Sequence, residues 1–235
     1  MNKLIPSFIM FSVLAACGGD SDVENTDDPV VNNTENDTAS VEDKPYVVEI
    51  MLDKIENVPA KCEIKGKKVD VYTWKDKNGK NYFIRSMGDY TEIEPEDEYS
   101  DRMASQYLYA YHYAEDSEGN FTLLKETTDF VEDCEFDIVM GHELDAITLT
   151  DIDKDDMAEV TFIYRLACTS DVSPSTQKLI MLENGDKYPL RGSTQVMGEG
   201  GEYKVGEEYD SAPEGFLEHA KKLWSENLKE YDFEL

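Results

Sequence analysis

Three pairs of β-rich runs, each joined by a short polar turn, are the feature that most constrains the fold. The runs cover residues 69–74 and 82–86, 107–114 and 121–124, and 178–182 and 187–191. Gly79, Gly119 and Gly185 lie in the turns, where a tight hairpin requires positive φ. Their unequal spacing shows no regular repeat. We therefore predict a mainly β domain over residues 45–210, with antiparallel hairpins in a sandwich or a propeller-like sheet.

The last part of the chain, residues 211–235, changes to a helical period. One stripe contains Leu217, Ala220, Trp224, Leu228 and Tyr231. Residues 211–214, Ser-Ala-Pro-Glu, have the pattern of a capping box. The pattern predicts one amphipathic C-terminal helix that packs on the β domain, with partner binding as the alternative.

The charge of the chain excludes one class of partner. It has 22 basic and 52 acidic residues, a net charge of −30. Such a surface repels phosphate backbones, so we expect no binding to nucleic acid. It favours divalent cations instead. Residues 17–44 contain almost no apolar side chains, which predicts a disordered acidic tether.

The N-terminus has the pattern of an export signal. An apolar run over residues 4–14 follows Lys3 and is too short to span a bilayer. Residues 14–17, Leu-Ala-Ala-Cys, resemble the lipobox of bacterial lipoproteins. The resemblance implies that residues 1–16 are a signal peptide and that Cys17 carries acyl chains such as palmitate. The protein would then be anchored in the membrane through Cys17, as a bacterial outer-membrane lipoprotein, and the sequence leaves open whether it faces the cell surface.

Three cysteines remain after such a cleavage, and an exported protein meets an oxidising environment. We predict a disulfide between Cys134 and Cys168, because each borders a strand-like run next to an acidic loop. Cys62 would then be the free thiol, although the sequence leaves it open as a partner in the bridge.

That acidic loop is the sharpest chemical motif. Its carboxylates Asp151, Asp153, Asp155 and Glu159 occupy positions 1, 3, 5 and 9, and the carbonyl of Met157 occupies position 7. Calcium takes six to eight such oxygens, so the spacing predicts a calcium site. A solvated acidic hairpin is the alternative.

The loop resembles the calcium loops of FG-GAP and VCBS-type β-repeats, since strand-like runs flank it. It departs from them at position 6, where Asp156 replaces the usual glycine. Aspartate tolerates the left-handed region better than most residues, so we expect the turn to form with weaker affinity.

An alternating run places four tyrosines, Tyr107, Tyr109, Tyr111 and Tyr113, on one face of a strand. They would form either an aromatic platform for sugars or the amphipathic face of a sheet, with rings over a core and hydroxyls at its edge.

Enzyme motifs are absent from the sequence, including HExxH, GxSxG and a P-loop. A wider stretch resembles a family of Bacteroidetes lipoproteins often labelled as surface-polysaccharide biosynthesis proteins. The residues that carry the resemblance are 74–79, 133–137, 150–153, 158–162 and 168–174. The resemblance implies a role in the cell envelope and supplies no catalytic residues. Our first hypothesis is a non-catalytic module that binds or assembles cell-surface polysaccharide, with polysaccharide or envelope proteins as partners. A carboxylate-dependent glycan-active enzyme and a protein-binding scaffold are the alternatives.

Overall fold

The structure is a computed structural model that describes residues 51–95 and 102–228. The predicted signal peptide of residues 1–16, the lipidation site Cys17 and the tether of residues 17–44 lie outside the described residues. Within the described ranges, no helix is long and apolar enough to cross a membrane.

The first sheet is built from the N-terminal half of the domain. Its strands are β1 (Asp53–Ile55), β2 (Lys67–Asp76), β3 (Gly79–Met87), β4 (Thr91–Ile93), β5 (Met103–Glu115) and β6 (Phe121–Cys134). The strand order is β1-β2-β3-β5-β6, and β4 pairs with the beginning of β5. Two of the predicted hairpins, β2–β3 and β5–β6, belong to this sheet.

The second sheet follows in the chain. Its strands are β7 (Asp137–Thr150), β8 (Glu159–Thr169), β9 (Thr176–Glu183), β10 (Asp186–Ser193) and β13 (Tyr203–Val205), in the order β13-β10-β9-β8-β7. Strands β11 (Gln195–Val196) and β12 (Glu199–Gly200) form a small separate ribbon. All pairings of the described strands are antiparallel.

The two sheets pack face to face over one apolar core, as in a β-sandwich. The side chains of Tyr72, Phe83 and Leu108 from the first sheet meet those of Phe162 and Ile180 from the second. The ring centroids of Phe83 and Phe162 lie 4.8 Å apart. The predicted mainly β, antiparallel fold is therefore confirmed, and the arrangement is a sandwich rather than a propeller.

A buried ion pair within the first sheet joins β2 to β3, and its arginine also reaches the second sheet. Arg85 of β3 donates from Nε and Nη2 to the two carboxylate oxygens of Asp70, at 2.8 and 2.6 Å. Neither side chain is exposed to solvent. Arg85 Nη1 also donates to the carbonyl of Glu143, at 2.9 Å, where β7 bulges away from β8. The guanidinium therefore satisfies backbone that the bulge leaves unpaired.

The two sheets are also joined covalently. Cys134 at the end of β6 and Cys168 near the end of β8 form a disulfide, with Cα atoms 5.6 Å apart. This is the pair predicted from the sequence. Cys62 is a buried free thiol.

We expect the double variant C134S/C168S to lose about 2–5 kcal/mol in free energy of unfolding, because the unfolded chain is no longer cross-linked. Urea unfolding followed by tryptophan fluorescence measures the loss. Dithiothreitol should lower the stability of the wild type to that of the variant and leave the variant unchanged. A wild type that ignores the reductant, or peptide mapping that finds Cys62 in the bridge, would contradict the pairing.

The C-terminal segment contains a 3-10 helix (Glu207–Ser211) and helix α1 (Phe216–Glu226). Phe216, Ala220 and Trp224 are buried against Leu179 and Leu190 of the second sheet. The other predicted members of the stripe, Leu217 and Leu228, pack against the same cluster, whereas Tyr231 lies outside the described residues.

The predicted capping box is wrong. Ser211 ends the 3-10 helix, and Ala212 is extended, as a residue before proline prefers. The N-cap of α1 is Gly215, with φ of 93° and no side-chain cap. A Cβ atom at Gly215 would lie 2.7 Å from Cγ2 of Ile152, so glycine also permits the close approach of the helix to the acidic loop.

Candidate metal centre

The acidic loop connects β7 to β8 at one end of the sandwich. Thr150 is the last residue of β7 and Glu159 is the first of β8. Lys154 and Asp156 have φ of 63° and 69°, so the backbone turns twice in the left-handed region. Asp156 thus adopts the conformation expected at the position where glycine is usual.

The turns are held by the loop's own carboxylates. Asp155 Oδ1 accepts a hydrogen bond from the backbone N–H of Met157 at 2.8 Å. Asp153 Oδ1 accepts one from the N–H of Asp155 at 3.3 Å. These local bonds direct the carboxylates toward the inside of the loop. The carbonyl of Met157 as a ligand stays a prediction.

The predicted carboxylates converge, but not on one point. Oxygens of Asp151, Asp153 and Glu159 lie within 4.8 Å of one another. A separation of about 4.8 Å is what two ligands on opposite sides of one calcium ion would show at 2.3–2.6 Å each. Asp155 belongs to a second group, which contains Asp153 and Glu183. The loop therefore offers one trio from the predicted set and a second trio with a residue from elsewhere.

Glu183 is the site residue that sequence reasoning missed. It ends β9 and begins the turn of the β9–β10 hairpin. Because Val160 of β8 pairs with Leu182 of β9, Glu183 lies beside Glu159. The turn was predicted from the sequence, but the pairing of β8 with β9 was needed to bring it to the loop. Its only local signal is an acidic residue at the start of that turn.

Two oxygens in these groups are buried without a partner. Asp151 Oδ1 and Glu183 Oε1 make no hydrogen bond, although each residue is only 7% exposed. Buried polar atoms in folded proteins nearly always have a partner. A cation between the carboxylates would supply one to each oxygen.

The electrostatics show the same deficit of positive charge. Burial raises the pKa of Glu159 to about 7, against opposing hydrogen bonds from Thr150 and from the N–H of Ile152. Burial, followed by the charge of Asp153, raises the pKa of Glu183 to about 8. Burial also raises the pKa of Asp151, with the charges of Asp155 and Asp153 next. These carboxylates are crowded in a way that a bound cation would relieve.

The β2–β3 hairpin of the other sheet holds the outside of the loop. The N–H of Lys77 donates to the carbonyl of Asp156 at 2.8 Å, and Lys77 Nζ donates to the carbonyl of Asp155 at 3.2 Å. Asp76 Oδ2 accepts from the N–H of Ala158 at 3.2 Å. The loop is therefore held by hydrogen bonds from both sheets, which helps to preorganise its carboxylates.

The tyrosine face lies on the outer side of the first sheet. The rings of Tyr107, Tyr109, Tyr111 and Tyr113 stack in one row, with centroids 6.3–6.4 Å apart. Tyr111 and Tyr113 are buried, at 2% and 6% exposed.

The segment before β2 covers the buried half of this row. Tyr111 accepts from the N–H of Lys65 at 3.1 Å, and Tyr113 donates to the carbonyl of Glu63 at 2.7 Å. Tyr107 and Tyr109 are half-buried, and Phe130 stands beside Tyr107 with ring centroids 5.6 Å apart. Half of the row therefore belongs to a small core, and the other half offers aromatic surface.

Comparison of the chain with family models, with curated proteins and with solved structures finds no match.

Proposed function

We propose that the protein is a calcium-stabilised β-sandwich module of the bacterial envelope, with a non-catalytic role in binding or assembling cell-surface polysaccharide. The observation that carries the calcium part is the trio Asp151, Asp153 and Glu159, whose oxygens lie within one ion's reach. The unpartnered Asp151 Oδ1 supports it, because that atom lacks the partner that a cation would provide.

The ligand type favours calcium among biological cations. Every side-chain ligand in the trio is a carboxylate, and hard cations with oxygen ligands fit such a set. Magnesium prefers a tighter octahedron and keeps most of its waters. A loop that gathers several carboxylates with backbone carbonyls nearby suits calcium better.

The envelope part of the proposal depends on the N-terminal sequence. Cys17 would carry the lipid that anchors the module, and residues 17–44 would hold it away from the outer membrane.

The polysaccharide part has support from the half-buried part of the tyrosine face, Tyr107 and Tyr109. Ligand sites are commonly lined by aromatic side chains with a few polar groups among them. Tyr107 donates to Glu132, and Lys65 lies over Tyr109 while it pairs with Glu126 at 3.0 Å. These charged groups stand where they would bond sugar hydroxyls around Tyr107 and Tyr109.

We expect calcium to raise the free energy of unfolding of the metal-stripped chain by about 2.7 kcal/mol at a hundredfold excess over Kd. Asp153→Ala should remove most of this gain, since Asp153 belongs to both groups of carboxylates. Urea unfolding after treatment with EGTA, with calcium or magnesium added back, measures the effect.

The matched control is Glu56→Ala. This exposed residue lies beside Lys68, at the opposite end of β2 from Lys77, and the variant removes the same charge. It should keep the full response to calcium. If magnesium stabilises the chain as much as calcium, and Asp153→Ala changes neither response, the calcium proposal is wrong.

A further inference from the structure

The five carboxylates of the candidate centre form two groups that share one member. The first contains Asp151, Asp153 and Glu159, and the second contains Asp153, Asp155 and Glu183. In each group the ligand oxygens lie within 4.8 Å of one another. We propose that the centre holds two calcium ions, with Asp153 bridging them and Glu183 of the neighbouring hairpin holding the second. This inference rests on the proposed calcium function.

Each group contains its own buried oxygen without a partner. In the first it is Asp151 Oδ1, and in the second it is Glu183 Oε1. The two residues lie on different elements, since Asp151 follows β7 and Glu183 ends β9. One ion in the first group would satisfy Asp151 and leave the Glu183 oxygen as it is. Two separate orphan oxygens therefore indicate two ions.

The negative charge of the five carboxylates also favours two calcium ions. With all five carboxylates ionised, one divalent cation would leave three negative charges and two cations would leave one. The nearest ammonium among the described contacts of the loop is Lys77 Nζ, which donates to the carbonyl of Asp155 at 3.2 Å. A second calcium ion brings the five carboxylates close to neutrality, whereas one ion leaves them repelling one another.

The second ion also has a defined structural effect. Glu183 lies in the turn that joins β9 to β10, whereas Asp153 and Asp155 lie in the β7–β8 loop. An ion between them links the two connections at one end of the second sheet. Asn184 in the same turn already accepts from Asn78 of the β2–β3 turn, at 3.0 Å. The second ion would therefore fix a junction of three turns.

The number of bound ions tests the inference. Isothermal titration calorimetry and native mass spectrometry of the full chain, stripped with EGTA and kept at about 0.15 M salt to screen weak surface binding, should give two calcium ions per chain. Glu183→Gln should give one. Asp151→Asn should also give one, and Glu56→Gln should keep two.

The outcomes separate this inference from the function on which it rests. A wild type that binds one ion overturns the second site and leaves the calcium module intact, whereas no binding overturns both. A Glu183→Gln chain that still binds two ions overturns the role of Glu183. The wild-type number needs no variant, so it stays decisive even if a variant fails to fold, which far-UV circular dichroism would show.

Discussion

Replacing Arg85 with methionine should lower the free energy of unfolding by about 3–5 kcal/mol. The variant leaves the Asp70 carboxylate buried, at 1% exposed, without the guanidinium that binds both of its oxygens. It also removes the donor to the carbonyl of Glu143 in the β7 bulge. Urea unfolding of the wild type and the variant, under the same calcium concentration, measures the loss.

Two further variants make this expectation specific. Arg102 pairs with Glu92 at 3.2 Å but is 57% exposed, so Arg102→Met should cost about 1 kcal/mol or less. The double variant D70L/R85M should recover part of the stability lost by R85M, because it removes the unpaired charge. A loss in R85M no larger than in R102M would show that the buried Arg85, with its bonds to Asp70 and to Glu143 of the second sheet, does not stabilise the sandwich.

Truncating Trp224 to alanine should cost about 3–5 kcal/mol, as expected for a large aromatic side chain in a core. Trp224 is 1% exposed, its ring lies 5.3 Å from that of Tyr203, and Nε1 donates to the carbonyl of Gly201 at 3.4 Å. The side chain thus joins α1 to β13 and to the loop before it. Its loss leaves a cavity between the helix and the second sheet.

The control for this variant is Lys221→Ala, an exposed position on the same helix, which should change the stability by about 0.5 kcal/mol or less. Urea unfolding followed by circular dichroism measures both variants. If Trp224→Ala lowers the free energy of unfolding no more than Lys221→Ala does, the packing of α1 does not stabilise the sandwich.

Several elements could be predicted from the sequence because their information is local. The glycine turns and the alternating runs specify hairpins between consecutive strands, and β2–β3, β5–β6 and β9–β10 all form as expected. The spacing of Asp151, Asp153 and Glu159 specifies a loop that curls on itself, and the structure brings the three together.

Other features depend on which strands become neighbours. Nothing near Glu183 indicates the metal centre, because its place beside Glu159 is set by the β8–β9 pairing. The sequence predicts one uniform face for the four tyrosines. In the structure, Tyr111 and Tyr113 are covered by a segment about 50 residues earlier in the chain. The sequence also predicts the wrong start for α1. The helix begins after Gly215, where the close contact with Ile152 requires a glycine, and not at a local capping pattern.

The sequence alone thus determined the hairpins, the curled acidic loop and the amphipathic helix, since turn residues and hydrophobic periods act over short stretches of chain. The tertiary structure decided how these units combine. It placed a second hairpin against the loop, buried the Arg85–Asp70 pair between the sheets and divided the tyrosine face into a covered and an open half. Sheet order and packing depend on contacts between residues that are far apart in the chain, and local sequence patterns do not specify such contacts.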